Sequence, residues 1–461
     1  RVDATQAVEF LRSPAIANLP VRLICEVQCL LQKYLEGRLR MHGLYKVIRA
    51  SDEHALYSDF KKARDGDERT DKGKTWSQVQ EEAVQGVRRR ISRERTFSLL
   101  LSEADRGHMS AVQLLVSSGA DVNKSTTSQG ATPLYVAADN GHVDVIDGLL
   151  DLSADVDLAT TDDGETALSV AAFKGHIDVV QRLIRARADA NKATTDNGRT
   201  PLWRASFDGH RDVVQVLLDA DADTDLPRTT DACTPLFMAA ESGHADVVQA
   251  LLRKHAAINT AKADDGVTPL NMAAFKGYVD VVAVLLEEGA DVDMGSTNDG
   301  ATPLYVAAEL GHFDVVEALL KKSSQVNKAT TDDGTSPLYV AAEHDHLEIV
   351  EALLEHRADV DQATTDDGAT PLYVAASSGL LEVVQALLQG RCSVDPRLTT
   401  DGTTPLFMAA YNDHIEVVRL LLEKEAEPNA TCCEFGTALD GAVRRGNAEV
   451  AELLEDFAEP D

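Results

Sequence analysis

The sequence predicts an all-α dominated repeat solenoid: helix–turn–helix units joined by protruding hairpin loops, preceded by a helical leader. Three observations predict it. The stretch Gly130-Ala-Thr-Pro-Leu-Tyr-Val-Ala-Ala138 returns unchanged at Gly300–Ala308 and at Gly368–Ala376. Its Thr-Pro-Leu core, or a variant, starts at Thr132, Thr166, Thr200, Thr234, Thr268, Thr302, Ser336, Thr370 and Thr404, always 34 residues apart. A fixed period of this length marks a stacked array. Each period also carries an apolar quartet at helical spacing, as at Val213, Val214, Leu217 and Leu218.

One unit shows why these residues fold locally. Thr200 is suited to cap a helix, and Pro201 at its first position gives up no needed donor. Leu202 and Ala205 face inward on this short first helix. Gly209 permits the tight turn that ends it. Val213, Val214, Leu217 and Leu218 then line a second, antiparallel helix. Asp223 opens an extended stretch toward the next unit, marked by Thr229, Thr230 and Asp231. The quartet recurs at Val179, Val180, Leu183 and Ile184, at Val247, Val248, Leu251 and Leu252, and at Val315, Val316, Leu319 and Leu320. No unit can bury that face alone, so stability resides in the interfaces between units.

The recurring Thr-Pro-Leu, Ala-Ala, Gly-His, Val-Val, Leu-Leu and Ala-Asp-Val-Asn motifs resemble the ankyrin repeat family from residue 98 to about residue 457. The resemblance implies a β-turn and two helices per unit, with a usual period of about 33. Here the additional residue is assigned to the connecting hairpin, as in residues 191–198. Eleven units are expected. Residues 98–131 form an atypical N-terminal cap, residues 436–457 a C-terminal cap, and residues 458–461 a tail. Residues 1–97 stand apart as a helical leader with no recognised family. Two departures stand out. Where the family usually has His after Thr-Pro-Leu, this chain has Tyr135, Ser169, Trp203, Phe237, Asn271, Tyr305, Tyr339, Tyr373 and Phe407. Where it has Gly in the inter-helix turn, this chain has Asp345 and Asp413, which tolerate a left-handed backbone less well.

The resemblance also says where to look for binding: the hairpin tips and the first-helix positions just before the Gly turn. Those positions hold Phe173 and Lys174, Phe207 and Asp208, Glu241, Phe275 and Lys276, and Glu309. With Trp203, Phe237 and Tyr305 they make a candidate partner-binding set on the concave face. Solvent exposure is expected at Phe173, Phe207 and Phe275, and packing against neighbouring helices is the competing reading. The hairpin tips carry Asp162, Asp163, Asp231, Asp264, Asp265, Asp299, Asp332, Asp333, Asp366 and Asp367. Stacking would align these carboxylates along one edge. They read either as solvated turn formers or as a surface that steers a basic partner.

Charge sharpens this picture. The 461 residues carry a net charge of −32. Residues 1–97 hold 19 basic and 14 acidic side chains, a net +5, and the remainder holds 25 against 62, a net −37. So acidic an array repels phosphates, which argues against nucleic acid as the main ligand. The six cysteines, Cys25, Cys29, Cys233, Cys392, Cys432 and Cys433, have no repeating spacing and read as thiols in a reducing compartment. No run of eighteen apolar residues predicts a membrane span. In the leader, Gly66 and Gly73-Lys74-Thr75 lack the spacing of a phosphate-binding loop. The basic cluster Arg88–Arg90 with Arg93 reads as a helix C-terminus, with an acidic docking site, a nuclear-import signal or a kinase site at Ser92 as alternatives.

Catalysis requires polar groups that converge in a pocket. The histidines at 142, 176, 210, 244 and 312 instead recur at one repeat position, which makes them structural. Glu343-His-Asp-His346 has no ligand spacing for a metal. The expectation is a non-enzymatic scaffold for protein–protein interaction, cytoplasmic or nuclear, with a partner of basic character and no cofactor. The alternative is an adaptor whose leader recruits a signalling or ubiquitin-ligase machine.

Overall fold

The computed structural model describes residues 96–432 and 435–457. The leader helices, Cys25, Cys29, Cys433, Ser92 and the Arg88–Arg90 cluster lie outside the described residues. Twenty-two helices among them form eleven consecutive pairs. The first pair is a helix over residues 96–105 followed by Met109–Ser117, and the last is Ala438–Arg445 with Ala448–Phe457. Consecutive first helices pack on one another from Pro133–Asp139 onward, and consecutive second helices do likewise from Met109–Ser117 onward.

The local rules hold residue by residue. The Thr200 hydroxyl accepts the Trp203 N–H at 3.1 Å, and Pro201 opens the helix Pro201–Phe207. Gly209 adopts φ +75°. The second helix, Arg211–Asp219, buries Val213, Val214, Leu217 and Leu218. Its apolar face merges with those of its neighbours into one core running from Leu100 to Leu454. Asp345 and Asp413 do occupy the left-handed region, at φ 61° and 66°.

Three repeating bonds fasten unit to unit. A turn histidine reaches back to a carbonyl of the preceding unit: His176 Nε2 to Asp139 O at 3.0 Å, and His210 Nε2 to Phe173 O at 2.9 Å. An Asp or Asn side chain accepts a backbone N–H from the following unit, as Asn191 does from Asp223 at 2.8 Å and Asn259 from Asp291 at 3.0 Å. Hairpin tips bond directly, with Thr195 N–H donating to Asp163 O at 2.7 Å and Thr229 N–H to Asn197 O at 2.8 Å.

The hairpins are tight loops rather than paired strands. Thr194 N–H donates to Arg199 O, and Gly198 N–H donates back to Thr194 O, with Gly198 left-handed at φ +76°. Among the described residues the only β-bridge is the isolated pair Cys432 and Gly436.

Candidate interaction face

In four units the residue after Thr-Pro-Leu, or its variant, bonds the frame. The Tyr135 hydroxyl donates to Glu165 at 2.8 Å, Trp203 Nε1–H to Cys233 O at 3.1 Å, and Asn271 Nδ2–H to Ala301 O at 2.9 Å. The Tyr373 hydroxyl meets the Thr403 hydroxyl at 3.2 Å. In every case the partner lies 30 residues on, just before the next cap. These side chains therefore tie a first helix to the following hairpin. Phe237 fills the same space without a polar tip. Trp203 and Phe237 are only 4% and 2% exposed. At that exposure both lie mostly beneath the face, and Trp203 also lines a cleft in it. Tyr305 is half-buried, and burial raises its hydroxyl above the ordinary value.

The positions before the turn behave differently. Phe207 and Phe275 are 40% and 49% exposed, costly positions for such large apolar groups. Phe173 is half-buried, with the Arg204 guanidinium 5.4 Å from its ring centre. Lys174 and Lys276 are exposed beside Phe173 and Phe275. Asp208, Glu241 and Glu309 are half-buried. Burial pushes the Asp208 carboxyl up against the pull of His210 and His244.

Only part of the expected aromatic patch comes together. Phe207 stacks on Trp203 at 5.8 Å between centroids, and with Phe173, Met238 and Glu241 they line a cleft of about 280 Å³. Phe275 is not part of it. Three arginines complete the lining: Arg199 and Arg228 lie 5.4 and 5.2 Å from the Trp203 ring, and Arg204 lies over Phe173. Sequence reasoning missed all three. The available signal was comparison between units: where this unit has Arg204, the others have Val136, Val170, Met238, Met272, Val306, Val340, Val374 and Met408.

A family model described as ankyrin repeats (3 copies) matches the chain in overlapping segments, 85–160, 152–228, 221–296, 292–364, 324–397, 360–432 and 391–461. The chain belongs to the ankyrin repeat family. Ankyrin repeats are generally protein–protein interaction modules. No curated protein gives a match to the chain.

Within this ankyrin array the acidic tips divide into two classes. Asp162, Asp264, Asp332 and Asp366 are exposed. The residue that follows each is turned inward and holds its own loop. Asp163 accepts the Thr160 hydroxyl and the Glu165 N–H, and Asp333 accepts the Thr330 hydroxyl and the Thr335 N–H. Asp299 does the same with Ser296 and Ala301, and Asp367 with Thr364 and Ala369. Two successive units replace the hydroxyl with a cation. Arg228 forks onto Asp231, and Lys262 bonds Asp264 and Asp265 at 2.9 and 3.1 Å. Burial opposes the charge on Asp163, but the bonds from Thr160 and the backbone hold its carboxyl below the usual range. Asp231 is held well below that range by Arg228.

Cys233, Cys392 and Cys432 are buried and unpaired, and burial pushes the Cys233 and Cys392 thiols up to about 12. Such thiols stay protonated and inert at neutral pH. No group of three or more His, Cys, Asp or Glu suited to a metal occurs among the described residues, and none of their helices is long and apolar enough to cross a membrane.

Proposed function

We propose that this ankyrin array is a non-enzymatic scaffold that docks a partner protein on the concave first-helix face of its middle units. The observation that carries the reading is the exposure of Phe207 and Phe275 at positions where other units hold Glu241, Glu309 and Glu343. Aromatic side chains in such places dominate interface energetics. The exposed row Asp162, Asp264, Asp332 and Asp366 steers a basic surface of the same partner toward the face. The three cysteines among the described residues are buried thiols outside any disulfide, which suits a cytoplasmic or nuclear setting.

The test is partner capture with identification by mass spectrometry, followed by affinity measurement. Phe207→Ala with Phe275→Ala should weaken the identified partner's binding about tenfold or more, with little change in melting temperature. Unchanged affinity would sink the reading. The charge contrast between residues 1–97 and the array favours one elaboration, an adaptor in which the leader recruits a second, signalling or ubiquitin-ligase component. Running the capture also with residues 98–461 alone separates the two. A component retained only by the full chain marks the adaptor.

A further inference from the structure

The cleft beneath Phe207 departs from the rest of the array in charge. Across residues 98–461 acidic side chains outnumber basic ones by 37, yet three guanidiniums converge here. Arg228 serves its own hairpin, but Arg199 and Arg204 are not required by the frame. The position of Arg199 is filled elsewhere by Ala131, Glu165, Cys233, Val267, Ala301, Thr335, Ala369 and Thr403, and that of Arg204 by Val or Met. Two of the three have carboxylate partners. Arg204 Nη1 lies 2.9 Å from Glu165, off hydrogen-bonding alignment, and Arg228 forks onto Asp231. Arg199 has none among the described residues. Its Nε and that of Arg204 are both buried without an acceptor. Those two nitrogens are themselves closed to solvent, so a ligand would meet Arg199 at its remaining guanidinium nitrogens.

We propose that this cleft receives a carboxylate side chain of the partner protein, carried next to an apolar or aromatic residue. It rests on the reading that this face docks a protein. Arg199 holds the carboxylate, because a planar guanidinium binds that group in two-pronged fashion. Arg204 and Arg228 are already matched by Glu165 and Asp231, so Arg199 supplies the charge that is free to act on a ligand. Phe207, stacked over Trp203, packs the neighbouring apolar group. A lysine would meet the unmatched Arg199 charge and is disfavoured by it. A phosphodiester chain is excluded by the acidic array around the cleft, whose field a single carboxylate on a basic-surfaced partner escapes. The partner is thus read by two opposite signs: basic toward the hairpin row, acidic at this cleft.

Trp203 reports on the site directly. The chain has two tryptophans, so in the full-length Trp76→Phe background Trp203 fluoresces alone. The probes are acetyl-Phe-Glu-amide, its Gln and Lys counterparts, and inorganic phosphate. The Glu peptide should give a saturable change about fivefold tighter than the Gln peptide, the span of one exposed ion pair. The Lys peptide and phosphate should give none. Arg199→Gln should abolish the preference for Glu over Gln, and Arg199→Lys should keep part of it, with circular dichroism reporting that both stay folded. No saturable response to the Glu peptide, equal affinity for Glu and Gln peptides, a response to phosphate equal to that of the Glu peptide, or an unchanged preference in Arg199→Gln would each overturn the proposal. Because these probes need no natural partner, their failure leaves the Phe207 and Phe275 capture result standing. Conversely, a captured partner indifferent to those two residues would leave the peptide result standing.

Discussion

A turn glycine followed by another unit answers two demands at once. Gly175 is left-handed at φ +73°, and a Cβ on it would meet the His210 ring at 2.7 Å. Gly311 stands in the same relation to His346, also at 2.7 Å. The two units that replace this glycine, at Asp345 and Asp413, are followed by Leu380 and Asn447 where the ring otherwise lies. Loss of the glycine and loss of the ring go together because the ring needs the bare backbone. Asp345→Gly should therefore raise stability by roughly 0.5–1 kcal/mol, since only the backbone strain is relieved. Gly311→Ala should lower it by more than about 1 kcal/mol, strain and ring contact acting together. Urea unfolding midpoints measure both, and a neutral Gly311→Ala would show that the ring moves aside freely. The left-handed turn is legible in a single unit. The ring that covers it is legible only from two units compared.

At the scale of the hairpin, charge is held in place by neutral donors. Burial opposes ionisation of Asp299 and Asp333, yet the hydroxyl of Ser296 or Thr330 and a backbone N–H two residues on hold both carboxyls below their usual 3.8. A depressed folded-state value means stability that is present above the unfolded value and is lost as pH falls through the folded one. The array should thus lose stability steeply from about pH 4 downward. In the Asp299→Asn, Asp333→Asn double variant that acid limb should be shallower, with the fold kept at neutral pH. The chain itself shows that Asn fits, since the Thr194 hydroxyl bonds Asn197 Oδ1 at 3.1 Å. Urea titrations between pH 7 and pH 3 would decide the matter, and identical slopes would refute it. From sequence, the Asp pairs read as one surface feature. Only the hydrogen bonds separate an exposed first member from an inward second one.

At the scale of the whole array, the core has no closed centre. Leu217 is fully buried, but what covers it are residues of its own unit and the two beside it. Stability in such a stack is a sum of unit and neighbour terms. Leu217→Ala, costing about 2–5 kcal/mol locally, should interrupt the stack in the middle. In the Trp76→Phe background, urea unfolding followed by Trp203 fluorescence should then separate from unfolding followed by far-ultraviolet circular dichroism. Coincident transitions would mean that the eleven units act as one cooperative block.

The sequence by itself determined the architecture, because cap, proline, glycine and apolar quartet act within a single unit and repeat. It likewise determined the acidity of the array. Tertiary structure alone decided how deep the residues of the proposed face lie. Trp203 and Phe237 alternate with Phe207 and Glu241 at equivalent positions, and periodicity assigns no depth to either set. Their depth is set by the next hairpin, 30 residues away, which covers the first pair and leaves Phe207 in solvent. The same stacking gathers Arg199, Arg204 and Arg228 from two successive units around one cleft, a convergence that no local pattern contains.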